Sequence, residues 1–118
     1  MSMFNEAIAI LGATIYTIYS VKKEDNSKEN KVVYGVFINM PAKSMSDRKD
    51  LVSEGYTNSF FTDFFIDDKE YKNYLFHNGK YYYLVLQGDL YQKPNGQTLN
   101  HYEYICREAT NEFEDITT

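Results

Sequence analysis

The 118-residue chain has no tryptophan, one cysteine, two prolines and no long apolar run. A lone Cys106 excludes an intramolecular disulfide, so nothing in the cysteine usage asks for an oxidising compartment, and the thiol reads as a small strand residue. The longest apolar run, AIAILGA at 7–13, is far too short to span a bilayer and follows Glu6 rather than a basic n-region. No membrane partner and no export signal are expected, and the cytoplasm is the default location. The six glycines are scattered, and neither the phosphate-loop pattern nor the dinucleotide fingerprint can be written over them. His77, His101 and Cys106 lack metal-ligand spacing, and the thiol has no evident base neighbour, so no metal, cofactor or catalytic activity is expected. Asp67 and Asp68 stand at an expected helix start, where capping accounts for them better than acid–base chemistry.

Rings are what the chain has in excess. Tyr and Phe make up 17% of it, more than one core of this size needs, and six tyrosines fall within KYYYLVLQGDLYQKPNGQTLNHYEYI at 80–105. The net charge of −5 is unevenly spread. All twelve Lys and Arg lie in residues 1–107 against thirteen acids, so this body is nearly neutral. Glu108, Glu112, Glu114 and Asp115 then follow without a basic partner, which marks 108–118 as a short acidic tail, dispensable for folding. Lys22, Lys23, Lys28, Lys31, Lys43, Arg48 and Lys49 cluster around two polar segments, where they serve either as a cationic rim or as two solvated loops.

Hydrophobic periodicity predicts a mainly β domain over 1–107. Strand one is expected at 7–21, with Gly12 at a bend, and strand two at 31–40, ended by Pro41. There Val32, Tyr34, Val36 and Ile38 share one face, and Val33, Gly35, Phe37 and Asn39 form the wetter one. Strand three is expected at 59–66 with Phe60, Thr62, Phe64 and Ile66 inward. One helix is expected from Asp67 to Gly79, on the stripe Tyr71, Tyr74, Leu75. Strand four spans 80–93 with Tyr82, Leu84, Leu86 and Leu90 on its apolar face, and strand five spans 97–107 after a PNG turn. This β-β-β-α-β-β order is that of a five-stranded Greek-key barrel of the OB type, with one short helix between strands three and four.

Several residues carry a resemblance to a family. Tyr74-Leu75, Asn78-Gly79, Gln87-Gly88-Asp89-Leu90, Lys93 and Asn95-Gly96-Gln97 together resemble the end of the bacterial single-stranded DNA-binding protein domain, in a divergent, phage-type form. The resemblance implies sequence-independent binding of single-stranded DNA in replication and recombination. It also implies a homo-oligomer, dimer or tetramer, and an acidic tail that recruits replication and recombination proteins. A phage-encoded chain would work in the host cytoplasm. The long apolar first strand argues separately for assembly, since an unpaired edge is an aggregation hazard.

Single-strand binding without base reading needs flat rings for stacking beside cations for phosphates. The expected stacking residues are Phe37, Phe61, Phe65, Tyr81, Tyr83 and Tyr91. The expected phosphate contacts are Lys22, Lys23, Lys31, Lys43, Arg48, Lys49, Lys80, Lys93 and Arg107. Tyr102 and Tyr104, in step with Cys106, are expected in the core. The alternative is an OB-like interaction or structural module whose rings form a subunit interface. A one-residue slip of register would exchange the faces of any of these strands.

Overall fold

Turn residues at the right spacing break this chain into strands. A computed structural model describes residues 14–39, 52–88, 91–92, 98–99 and 102–117. Gly12, Pro41, Lys43, Arg48, Lys49, Leu90, Lys93, the PNG turn and His101 lie outside the described residues. Strand β1 is Thr14–Lys22, β2 Lys28–Asn39, β3 Tyr56–Thr62, β4 Tyr71–His77 and β5 Lys80–Gly88. Two short strands, β6 at Tyr91–Gln92 and β7 at Thr98–Leu99, pair with each other in a separate ribbon. Strand β8 is Tyr102–Glu108, and helix α1 follows at Thr110–Thr117.

The six longer strands close into an antiparallel barrel in the order β1-β2-β3-β8-β5-β4, with β4 returning to β1. This differs from the expected architecture in its strand count and in the segment between strands three and four. Residues 71–77 form β4, not a helix. The deciding feature is Asn78-Gly79, both at positive φ (50° and 78°), which form a two-residue hairpin turn between His77 and Lys80. Asn-Gly between alternating apolar residues is the strongest short-range hairpin signal, because both positions accept the left-handed backbone that a primed turn requires. Asp67 does accept from backbone N–H groups, of Lys69 (2.9 Å) and Glu70 (3.4 Å), but it caps a turn that leads into a strand.

Inside the barrel, Ile18, Phe60, Ile66, Leu75, Leu84, Tyr104 and Cys106 are fully buried, joined by Tyr16 and Val33. Burial pushes the Cys106 thiol well above its ordinary pKa, which keeps it neutral. Tyr82, Leu86 and Tyr102 pack against the same core, so the inward faces of β5 and β8 are the expected ones. Strand β2 is inverted: Val33 and Phe37 point inward, whereas Val32 and Tyr34 are exposed. The cause is Gly35, against whose backbone the Phe60 ring packs. A Cβ there would lie 2.5 Å from the ring and 2.6 Å from the Phe61 carbonyl oxygen. Gly35→Ala is expected to destabilise the fold by about 1–3 kcal/mol through overpacking. It should lower the urea midpoint without changing the slope of the transition. An unchanged midpoint would mean that the ring shifts at no cost.

Residues 108–117 of the expected tail are structured. Ala109 N–H extends the β5–β8 ladder to the Tyr81 carbonyl (2.8 Å), and the Phe113 N–H then donates to the Ala109 carbonyl (2.9 Å) to begin the helix. Ala109, Phe113 and Ile116 fall on one stripe that packs on Val21, Tyr74, Tyr19, Tyr81 and Tyr83, outside the barrel. Acidic composition therefore misleads about this segment, whose apolar stripe gives it a place to fold. Over Ile18–Lys22, β1 is hydrogen-bonded to β2 on one side and β4 on the other and offers no open edge, while residues 7–13 of the expected first strand lie outside the described residues. Among the described residues no helix is long and apolar enough to cross a membrane.

Candidate nucleic-acid interface

Outward side chains of neighbouring strands form one belt of rings around half of the barrel. Cross-strand partners share a face, so Tyr19, Tyr74 and Tyr83 lie in a row across β1, β4 and β5, with Phe76 and Tyr81 beside them. On the other side of β1, Ile15 pairs with Tyr34 and Thr17 with Val32. Helix α1 covers one part of this belt and leaves the other bare.

Under the helix, Tyr81 stacks on Phe113 with ring centroids 4.1 Å apart, and Tyr74 lies 5.1 Å from the same ring. The Tyr74 hydroxyl donates to Glu112 (2.7 Å), and Arg107 forms an ion pair with the same carboxylate (2.9 Å) while its guanidinium sits 4.7 Å over Tyr83. Burial, the bond to Glu112 and its negative charge all push the Tyr74 phenol upward. Burial works to raise Glu112 as well, but the hydrogen bonds from Tyr74 and Arg107 outweigh it and hold the carboxyl below its ordinary range. Tyr81 and Tyr83 do face away from the core, as their register predicts, yet they pack beneath the helix rather than facing solvent. Arg107 is held by Glu112, and Lys80 by Glu108 at 3.3 Å.

The bare part centres on Tyr34, Phe64 and Phe65, which are 61%, 50% and 49% exposed. Strand β3 ends at Thr62, and residues 63–70 turn across one end of the barrel. Buried contacts fix this turn. Tyr104 hydroxyl accepts from the Ile66 N–H (2.7 Å) and donates to the Ile66 carbonyl (3.2 Å), and burial raises its pKa to about 12. The Thr62 hydroxyl donates to the Tyr34 carbonyl (2.8 Å) and accepts from the Phe64 N–H (3.2 Å), which sets the backbones of Tyr34 and Phe64 side by side. Lys31 Nζ lies 5.2 Å over the Phe64 ring, and the Phe65 ring meets Tyr102 edge-on at 5.5 Å. Rings half in solvent on a backbone so well fixed are a ready surface for flat ligands.

The structure thus separates the expected site residues into groups. Phe65 and Lys31 join the bare patch, Phe61 is partly buried on β3, and Phe37 lies at the opposite end of the barrel, 4.8 Å from Tyr82. Lys23 Nζ donates to the Asp68 carbonyl (3.1 Å) and Lys22 stands 3.9 Å from Glu24, near the same end as Phe64. Tyr91 belongs to the β6–β7 ribbon, and its side chain is outside what is described. Sequence reasoning missed Tyr34 and Phe64, both assigned to the apolar side of their strands. The signal for Phe64 was Asp63-Phe64-Phe65, where alternation ceases. Among the described residues, no three His, Cys, Asp or Glu come together to hold a metal.

No family model, curated protein or solved structure matches the chain.

Proposed function

We propose that this protein binds single-stranded DNA without reading its sequence, by stacking bases on exposed rings while cations meet the backbone. The observation that carries this reading is the trio Tyr34, Phe64 and Phe65 beside Lys31, half exposed on a closed barrel. Stacking tolerates any base because every base has a π-face, and Lys31 has no ion-pair partner among the described residues to displace. Its place over Phe64 puts positive charge where a phosphate beside a stacked base would run. Architecture lends support of a general kind: closed or partly closed antiparallel barrels with non-sequential neighbours, here β3–β8 and β4–β1, include the OB barrels that bind single strands. Replication and recombination are the processes in which a sequence-tolerant binder of this kind protects exposed strands.

The test is retardation of a fluorescent thymine oligomer, measured across salt concentrations. Binding should occlude about 4–16 nucleotides per barrel, and its logarithm should fall linearly with log salt, by about 0.7 per phosphate neutralised. Duplex of equal length bound as tightly, or no retardation at micromolar protein, would sink the proposal.

A second reading has its own observation. Ile15 and Val32, 52% and 63% exposed, adjoin Tyr34 on the same face and give aliphatic surface that stacking does not use. A second copy of the chain, covering that face, would account for them as a subunit interface. Light scattering at tens of micromolar decides: a dimer or tetramer supports this reading, and a monomer near 13.9 kDa rejects it.

A further inference from the structure

At the end of the barrel away from Phe64, the strands splay around a concave cavity of about 460 Å³. Its size falls in the range of small-molecule sites, roughly 300–1,000 Å³. Phe37, His77 and Tyr82 form an aromatic wall, with Phe37 4.9 Å from His77 and 4.8 Å from Tyr82 by ring centroid. Facing this wall are the side-chain amides of Asn39 and Asn58. No Lys, Arg, Asp or Glu lines the cavity among the described residues, so it suits a neutral ligand better than a phosphate or a carboxylate.

The hydrogen bonds decide which neutral ligand. Asn58 Nδ2 donates to the Ile38 carbonyl (3.3 Å) and to Asn39 Oδ1 (2.8 Å), which uses both of its hydrogens. Asn58 Oδ1 accepts from the Thr57 hydroxyl (2.9 Å). This network turns the Asn39 amide so that its oxygen is engaged, and its NH2 group, with two donors, has no hydrogen-bond partner among the described residues and can serve a ligand. An aromatic wall beside an uncommitted amide donor fits a flat heterocycle that carries a carbonyl oxygen. We infer that the barrel mouth takes a single nucleobase, stacked on the Phe37, His77 and Tyr82 wall and bonded through a base carbonyl to Asn39. Thymine, cytosine and guanine offer that oxygen, and adenine does not. Strand β2 carries both ends of the path, from Lys31 near Phe64 to Asn39 at the cavity. A strand stacked on the exposed rings is therefore led toward the pocket, which adds a modest base preference to otherwise sequence-tolerant binding. The inference rests on the single-strand reading for the class of its ligand.

Thymidine and adenosine, which lack phosphates, are the probes, titrated into isotope-labelled protein and followed by nuclear magnetic resonance. Thymidine is expected to shift the side-chain amide signals of Asn39 and Asn58 and the ring signals of His77, and adenosine to bind about five- to tenfold more weakly. Asn39→Ala should weaken thymidine by a similar factor; because it also takes away the acceptor of Asn58 Nδ2, its affinity is compared at a temperature where the variant is fully folded. Cavity signals that do not move with thymidine, or equal thymidine affinity in the Asn39→Ala variant, overturn the inference. If a thymine oligomer still binds with the expected salt dependence in that case, the cavity assignment falls alone. If thymidine fills the cavity but no oligomer is bound at any salt, the single-strand reading falls and the cavity assignment stands.

Discussion

A chain ending at Ala109 is expected to unfold at far lower urea than the full-length protein, because helix α1 closes the second hydrophobic cluster rather than trailing from the barrel. Phe113 is 8% exposed and touches Tyr19, Tyr74 and Tyr81. Removing a buried Phe side chain costs about 3–5 kcal/mol, so Phe113→Ala alone removes a large share of the 5–15 kcal/mol typical of a domain. Truncation also takes away Glu112, which holds Tyr74 and Arg107, and the Thr117 carbonyl that accepts from Lys28 Nζ (2.8 Å). The effect has a pH signature with a definite sign. Glu112 is held below its ordinary pKa in the fold, so its contribution is present above the ordinary carboxylate range and is lost as pH falls through its depressed value. Full-length protein should therefore lose stability on acidification more steeply than the truncated chain or Glu112→Gln. Coincident unfolding curves for the full-length chain and the Phe113→Ala variant would show that the helix rests on the barrel without stabilising it.

Where alternation was clean, the sequence could be read. In β5, Tyr82, Leu84 and Leu86 are apolar-facing by simple parity, up to a register shift between Leu86 and Gly88. In β8, Tyr104 and Cys106 are buried as expected. Parity has no force in β2, where Val32, Val33, Tyr34, Val36 and Phe37 are apolar on both faces. Only the approach of Phe60 to Gly35 selects the inner one, and that contact requires knowing that β3 pairs there. Segment 71–77 was open to two readings for a similar reason. Tyr74 and Leu75 satisfy a helical stripe, but each is fully buried on a different side of β4, Leu75 in the barrel and Tyr74 beneath α1. The candidate site was half legible. That the rings exceed what a core needs follows from composition, but which of them remain bare depends on where α1 lies. Tyr81 and Tyr83, assigned by a correct register, are covered by a helix that acidic composition disguised.

Tyr34→Ala and Phe64→Ala combined are expected to give the largest loss of oligonucleotide binding. Each ring that stacks a base contributes about 1–3 kcal/mol, so the double variant should bind a thymine oligomer by roughly 2–6 kcal/mol less well if the two stacks are independent. Both side chains are at least half exposed, so their loss leaves little cavity, and the unfolding midpoint should barely move. Lys31→Ala probes the charge term separately. It removes one phosphate contact and should lower the salt slope by about 0.7, while also taking away the cation over Phe64. Tyr83→Ala is the contrasting case, since this ring is packed beside Tyr74 and under Arg107. Its loss should destabilise the fold and reach binding only indirectly. The outcome that separates the two faces is simple to state. If Tyr34→Ala/Phe64→Ala binds like the parent while Tyr83→Ala, measured where it is still folded, loses affinity, then the strand runs over the face that α1 covers, and the helix must move for binding to occur.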